Sequence, residues 1–217
     1  MIKILFICLG NICRSPLAEF YFKDLVAKHN LSAEFYIESA ATSYEETGNP
    51  VHPGTRKKLA AAGISCAGKT ARCMEREDYR KFDYLIGMDQ ANIRNITQIA
   101  GGDPEKKIYK MLEFAGDGWK ELKAGKRNPD KVPDVADPWY TGNFDDTWRD
   151  VTAGCQGLLK FLLGQFTRNY TQTTKRGLLT TKQAEYQAPG KCEIFSLFCC
   201  PGFPKGHPLA HDFACKV

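Results

Sequence analysis

The stretch that most restricts the fold is residues 3–16, where an apolar run, Ile4-Leu5-Phe6-Ile7-Cys8, gives way to Leu9-Gly10-Asn11 and then to Ser15-Pro16. A short run rich in Ile and Phe reads as a buried strand, and Gly-Asn marks a tight loop. Ser15 followed by Pro16 and, soon after, Glu19 reads as a helix start with Ser15 as its N-cap. A strand passing through a tight loop into a helix is the seed of a parallel α/β layer.

The rest of the chain repeats the pattern. The first helix is predicted to reach about His29, with Leu17, Phe20, Tyr21, Leu25 and Val26 near one face. Residues 35–41 read as a second strand, and Pro53 opens a helix that Gly63 closes. Residues 84–88 form a third strand, followed by a helix over 90–99, and residues 108–114 a fourth strand. A Gly-, Pro- and charge-rich loop spans 116–144. A last helix over 145–163 carries Trp148, Val151, Cys155, Leu158, Leu159 and Leu162 at helical spacing. Alternating strands and helices predict a four-stranded parallel sheet with helices on both faces. Ligands in such sheets bind beyond the carboxyl ends of the strands, where residues 8–14 lie.

Composition narrows the function. No apolar stretch approaches the roughly 20 residues of a spanning helix, and the first residues lack the form of a secretion signal. The expected location is therefore cytoplasmic, with no membrane partner. Nine cysteines, an odd number and unevenly spaced, argue against a disulfide framework. The net charge of +5 is concentrated late: residues 1–163 hold 23 Lys and Arg against 22 Asp and Glu, and residues 164–217 hold 7 against 3. A nearly neutral body gives no support to nucleic-acid binding.

Cys8 and Arg14 enclose five residues, and Ser15 follows. Five residues between a strand end and a helix start can aim their N–H groups inward as a cradle for a tetrahedral oxyanion. The helix amino end adds partial positive charge, and that field favours a cysteine thiolate. Arg14 can grip two phosphate oxygens through its planar fork. The Ser15 hydroxyl can hydrogen-bond the sulfur. Gly10 and Asn11 suit the loop because both tolerate left-handed backbone angles.

Two other matches are decoys. Cys66 and Arg72 have the same spacing, but neither a leading strand nor a following hydroxyl. Residues 63–70, Gly63-Ile64-Ser65-Cys66-Ala67-Gly68-Lys69-Thr70, satisfy the nucleotide-binding pattern GxxxxGK[ST]. That motif needs a strand before it, whereas Leu59-Ala60-Ala61-Ala62 reads as a helix end. A P-loop nucleotide-binding protein is the distant alternative.

A thiolate also needs a proton donor for the leaving oxygen and an acceptor for the attacking water. Asp137-Pro138-Trp139-Tyr140 offers a carboxyl beside two aromatics suited to flank a substrate ring. Asp-Pro also makes ordinary turns, and Asp134 is an equal candidate from the residues alone.

These two segments, residues 8–19 (Cys8-Leu9-Gly10-Asn11-Ile12-Cys13-Arg14-Ser15-Pro16-Leu17-Ala18-Glu19) and 137–140, together resemble the low-molecular-weight protein tyrosine phosphatases. The resemblance spans residues 1 to about 163 and implies a four-stranded parallel sheet and hydrolysis of phosphotyrosine in a protein or another aryl phosphate. It implies Cys8 as nucleophile, Arg14 as phosphate clamp, Asp137 as general acid and base, and Asn11 and Ser15 as supports of a loop that includes Leu9, Gly10, Ile12 and Cys13. It also implies Cys13 as a redox partner able to form a reversible disulfide with Cys8. No metal or organic cofactor is required, because thiolate, guanidinium and carboxyl supply nucleophile, charge and proton.

The chain departs from its relatives at three places. Where many carry a Trp wall, residues 43–48 read Ser-Tyr-Glu-Glu-Thr-Gly, so the substrate slot is walled by Trp139, Tyr140 and either Tyr44 or nothing opposite. Glu45 and Glu46 there would disfavour acidic phosphopeptides. Near Lys69 many relatives have a His. Residues 164–217 have no counterpart and read as a disordered tail without assigned function, in which Cys199, Cys200, His207, His211 and Cys215 fit no standard zinc spacing. Similar loops occur in protein-arginine phosphatases and arsenate reductases, which typically carry Thr or Ser where this chain has Ile12. The apolar Ile12 favours an aromatic substrate over those two.

Overall fold

A computed structural model describes residues 1–177, with side chains to residue 165. By internal contacts the chain divides into Met1–Thr171 and Gln172–Val217, and the sheet, core and site all belong to the first unit. The sheet holds four parallel strands, β1 (Ile2–Cys8), β2 (Phe35–Ala41), β3 (Tyr84–Gly87) and β4 (Ile108–Lys110), in the order β2-β1-β3-β4. Among the described residues the α-helices are α1 (Arg14–Lys28), α2 (Pro53–Ala61), α3 (Arg76–Lys81), α4 (Gln90–Ala100), α5 (Gly118–Lys123), α6 (Pro138–Thr141) and α7 (Phe144–Gly177).

β1 lies between two strands and has helices packed on both of its faces, so Ile4 to Cys8 are all buried. Alternation divides them. Leu5 and Ile7 join Met74, Tyr79, Phe82, Leu85, Ile96 and Ile108 beneath α3 and α4. On the other face Phe6 meets Phe22 of α1 edge-on, at 5.7 Å between ring centres. Gly87 lets α4 lie close on β3, since a Cβ there would stand 2.9 Å from Ile93 Cδ1. α7 sits closer still on the turn after β4: a Cβ on Gly157 would fall 1.8 Å from the Phe114 carbonyl oxygen.

Several expectations are corrected. α1 begins at Arg14, with Cys13 in the capping position and no side-chain cap. Ser15 therefore lies inside the first turn instead of capping it, because its hydroxyl is taken by the Cys8 sulfur. Pro16 stays unstrained there, since the first N–H groups of a helix have no partner to lose. Phe22, not Phe20 or Tyr21, is the fully buried aromatic of α1. Phe20 and Tyr21 instead rest against the Val51, Leu59, Ile64 and Cys66 cluster, because α1 is covered on a second side by α2. The fourth strand stops at Lys110, where residues 111–113 turn into a 3₁₀ helix bonded through Glu113 to the Lys110 N–H. The long loop over 116–144 contains α5 and α6. The last helix continues past Leu163 to Gly177, while residues 178–217, including Cys199, Cys200, His207, His211 and Cys215, lie outside the described residues. Among the described residues, no helix is long and apolar enough to cross a membrane.

Candidate active site

The loop from β1 to α1 closes around the Cys8 sulfur. The Asn11 N–H donates to Cys8 Sγ at 3.3 Å, and Ser15 Oγ lies 3.1 Å from the same sulfur. Ser15 Oγ accepts from Asn11 Nδ2 at 2.9 Å, and its own proton has two acceptors within reach, the Cys8 sulfur and the Ala40 carbonyl at 3.4 Å.

Asn11 organises this loop from φ +57°, a left-handed angle, with no surface exposed. Its amide nitrogen also donates to Ser39 Oγ at 2.8 Å, and its oxygen accepts the Arg72 N–H at 3.1 Å. Gly10, by contrast, does not adopt a positive φ. It is needed for room: a Cβ there would stand 3.0 Å from Glu46 Cγ.

Beneath Asn11 lies a charged prop. Ser39 Oγ donates to Glu19 Oε2 at 2.5 Å, and Lys69 Nζ reaches both that oxygen, at 3.0 Å, and the Ser39 carbonyl, at 3.1 Å. Lys69 thus answers the departure near its position: a lysine supports the loop through Glu19 and Ser39. This also settles the decoy at 63–70, where Lys69 is spent on Glu19 and Thr70 pairs with Pro50. Arg72 of the other decoy pairs with Glu38 and Asp78, each at 2.8 Å.

Arg14 is 3% exposed, and two carboxylates hold it. Its Nη1 meets Asp89 Oδ2 and its Nη2 meets Asp137 Oδ2, both at 2.6 Å. Burial alone would weaken the guanidinium charge, but Cys8, Asp137 and Asp89 outweigh it and raise the Arg14 pKa. Asp134, the equal candidate in sequence, faces elsewhere: it pairs with Lys110 at 2.7 Å and accepts the Gln90 N–H at 3.0 Å. Asp89 was not anticipated. It caps α4 through the Asn92 N–H at 2.6 Å, and its signal was an acidic residue at the end of a strand on the ligand-binding edge of the sheet.

Asp137 Oδ1 accepts the Trp139 N–H at 3.0 Å and so starts α6. Trp139 and Tyr140 follow on the surface, 59% and 79% exposed. Leu9 is also exposed, whereas Ile12 is buried with Cys13 and Ala71 against Phe144. Tyr44 is exposed and its phenol meets the Cys73 thiol. The Cys13 thiol is pushed up to about 12, chiefly by burial and then by the charges of Cys8 and Asp137.

The family model described as low molecular weight phosphotyrosine protein phosphatase matches residues 3–169. The chain is 40% identical over 159 residues to the low molecular weight protein-tyrosine-phosphatase YfkJ of Bacillus subtilis, covering 73% of this chain and 94% of that protein. It is 34% identical over 163 residues to PtpA of Staphylococcus saprophyticus, covering 75% and 95%. Among solved structures it is similar to YfkJ, at TM-score 0.68 and 38% identity over 76% of this chain and 96% of that one. It is also similar to the Streptococcus pyogenes low molecular weight protein tyrosine phosphatase, at TM-score 0.61 and 38% identity over 74% and 92%.

Proposed function

Because the chain belongs to the low molecular weight phosphotyrosine protein phosphatase family, and is a protein tyrosine phosphatase and hydrolase, we propose how its residues divide the reaction. Cys8 Sγ attacks phosphorus while the P–O bond to the phenol breaks, and the Asp137 carboxyl passes its proton to the departing oxygen. Water then attacks the cysteinyl phosphate, Asp137 takes the water proton, and the S–P bond breaks to return the thiolate, eased by the Ser15 hydroxyl. Arg14 and the N–H groups of residues 9–14 hold the phosphoryl oxygens throughout.

The observation that carries this reading is the meeting of Cys8, Arg14 and Asp137 at one strand end although Asp137 lies far along the chain. The guanidinium is already engaged by both carboxylates, so an arriving phosphate dianion takes over Nη2 and displaces Asp137. The exposed Trp139 and Tyr140 beside it suit a phenyl ring, which supports a phosphotyrosine protein or other aryl phosphate as substrate. We place the reaction in the cytoplasm, where a thiol nucleophile stays reduced. Cys13 is inferred to be the resolving thiol: peroxide oxidises Cys8 to a sulfenic acid, the Cys13 sulfur attacks it, and water leaves as the disulfide forms.

Turnover of a phosphotyrosine peptide and a phosphoarginine peptide, under reducing conditions, tests the assignment. Hydrolysis of phosphotyrosine by the wild type and none by Cys8→Ser is the expected result. Preference for phosphoarginine would overturn the substrate, and an active Cys8→Ser the mechanism.

A further inference from the structure

Asp137 acts only if its segment is held over the phosphate loop, and α6, at four residues, cannot hold itself. Upstream the segment is tied by main-chain bonds: the Val135 N–H donates to the Met88 carbonyl at 2.9 Å, and the Ala136 N–H to Asp150 at 3.1 Å. Downstream the anchor is aromatic. Phe144 seats its ring where a Cβ on Gly54 would be, 2.4 Å from that point, and packs against the Ile12 and Cys13 cluster. His52 lies over it, with ring centres 5.1 Å apart and planes within 13°. The same imidazole stands edge-on to Trp139 at 6.2 Å. Its main-chain N–H donates to the Ile12 carbonyl at 2.9 Å, and its Nδ1 accepts the Gly54 N–H at 3.1 Å, capping α2.

We propose that His52 is a positioning residue for the proton-transfer step: its ring, stacked on Phe144 and set against Trp139, fixes the Asp137 segment to the phosphate loop. This rests on the reading of Asp137 as general acid. His52 joins the two halves of the site because its backbone belongs to the phosphate loop's hydrogen bonding and its side chain to the acid loop's packing. Asn11, Ser15 and Asp89 hold the nucleophile and the clamp. His52 holds the proton donor.

Two substitutions separate the ring from the cap. His52→Asn keeps an acceptor for the Gly54 N–H but loses the ring, since Asn is a good cap. His52→Phe keeps a ring on Phe144 and loses the cap. The readout is kcat/KM for a series of aryl phosphates, from dinitrophenyl phosphate, which needs no proton to leave, to phenyl phosphate, whose phenol leaves as poorly as tyrosine. That ratio covers only the steps through attack by Cys8. A misplaced acid steepens the dependence on the leaving group, whereas general loosening lowers every ester alike.

For the full chain, His52→Asn is expected to lose about 10-fold on phenyl phosphate and under about 2-fold on dinitrophenyl phosphate, a share of what general acids supply. His52→Phe should keep the shallow wild-type dependence despite a lower Tm. A wild-type dependence in His52→Asn, or equal losses on all esters, overturns the proposal. Asp137→Asn, run beside them, should be steep. A shallow Asp137→Asn would sink the general-acid reading itself, and the role of His52 with it.

Discussion

Asn11→Ala is the sharpest test of how the loop is built, because one small side chain makes three bonds from a left-handed backbone. Two of the three partners retain another contact: Ser39 Oγ still reaches Glu19, and Ser15 Oγ still faces Cys8. Each of those losses costs about 0.5 kcal/mol, the low end for a hydrogen bond, while the Arg72 N–H left without its acceptor costs about 1–3 kcal/mol. Holding Ala at φ +57° adds about 1–2 kcal/mol. The expected destabilisation is roughly 3–6 kcal/mol, large against the 5–15 kcal/mol of a typical domain. Asn11→Gly loses the same bonds without the backbone cost, and regains about 0.4–1 kcal/mol of unfolded-state entropy as a penalty, so it should be no less stable than the Ala variant. Urea unfolding at equilibrium measures both. Activity falls as well: without Asn11 the Ser15 proton is free to turn to the Ala40 carbonyl at 3.4 Å, and a loss of about 1.4 kcal/mol at the sulfur means about 10-fold in kcat/KM. An Ala variant within about 0.5 kcal/mol of wild type, the range of an ordinary surface change, would refute the reasoning.

Three more outcomes are expected. Asp134→Asn, which touches Lys110 and not Arg14, should leave kcat/KM on a phosphotyrosine peptide within about 3-fold of wild type, whereas Asp137→Asn should lose about 100-fold or more. Gly157→Ala forces a Cβ onto the Phe114 carbonyl and should lower stability by about 1–3 kcal/mol or more in thermal unfolding, as overpacking does. The Cys13 pKa is raised in the folded chain from 9.0 to about 12, so folding favours its protonated form. Its contribution is whole below the unfolded value and is lost as pH climbs from about 9 toward 12, where the unfolded chain sheds the proton first. Urea midpoints compared at about pH 8 and about pH 10 should therefore fall further for wild type than for Cys13→Ala.

What could be seen in the sequence was whatever local pattern decides. β1 and the phosphate loop were readable because apolar run, Gly-Asn and Ser-Pro stand in one short window, and β2 was readable end to end. Ser15 was misread as a cap because a nearby sulfur, not the helix N–H groups, claims its hydroxyl, a choice made only when the loop closes. Phe22 was overlooked because a single-face rule fails for α1, which is covered on two sides. Asp89 depends on how closely α4 lies on Gly87, and Ser39, Glu19 and Lys69 meet only across the sheet. Asp137 could be told from Asp134 by its neighbours in the known pattern, but spacing alone could not separate them. His52 carried no signal, since its part comes from Phe144, which arrives from the start of α7.

The contact between Asp137 and Arg14 also bears on how the cycle ends. Inorganic phosphate leaves a loop shaped to retain it, and its departure would strand a buried guanidinium beside a single carboxylate. On the proposed division of roles, Asp137 returns to Nη2 as the phosphate goes, so the cation exchanges one anion for another without being left bare. The side chain proposed as the acid thereby competes with the product for its seat, which keeps the emptied site ready for the next ester.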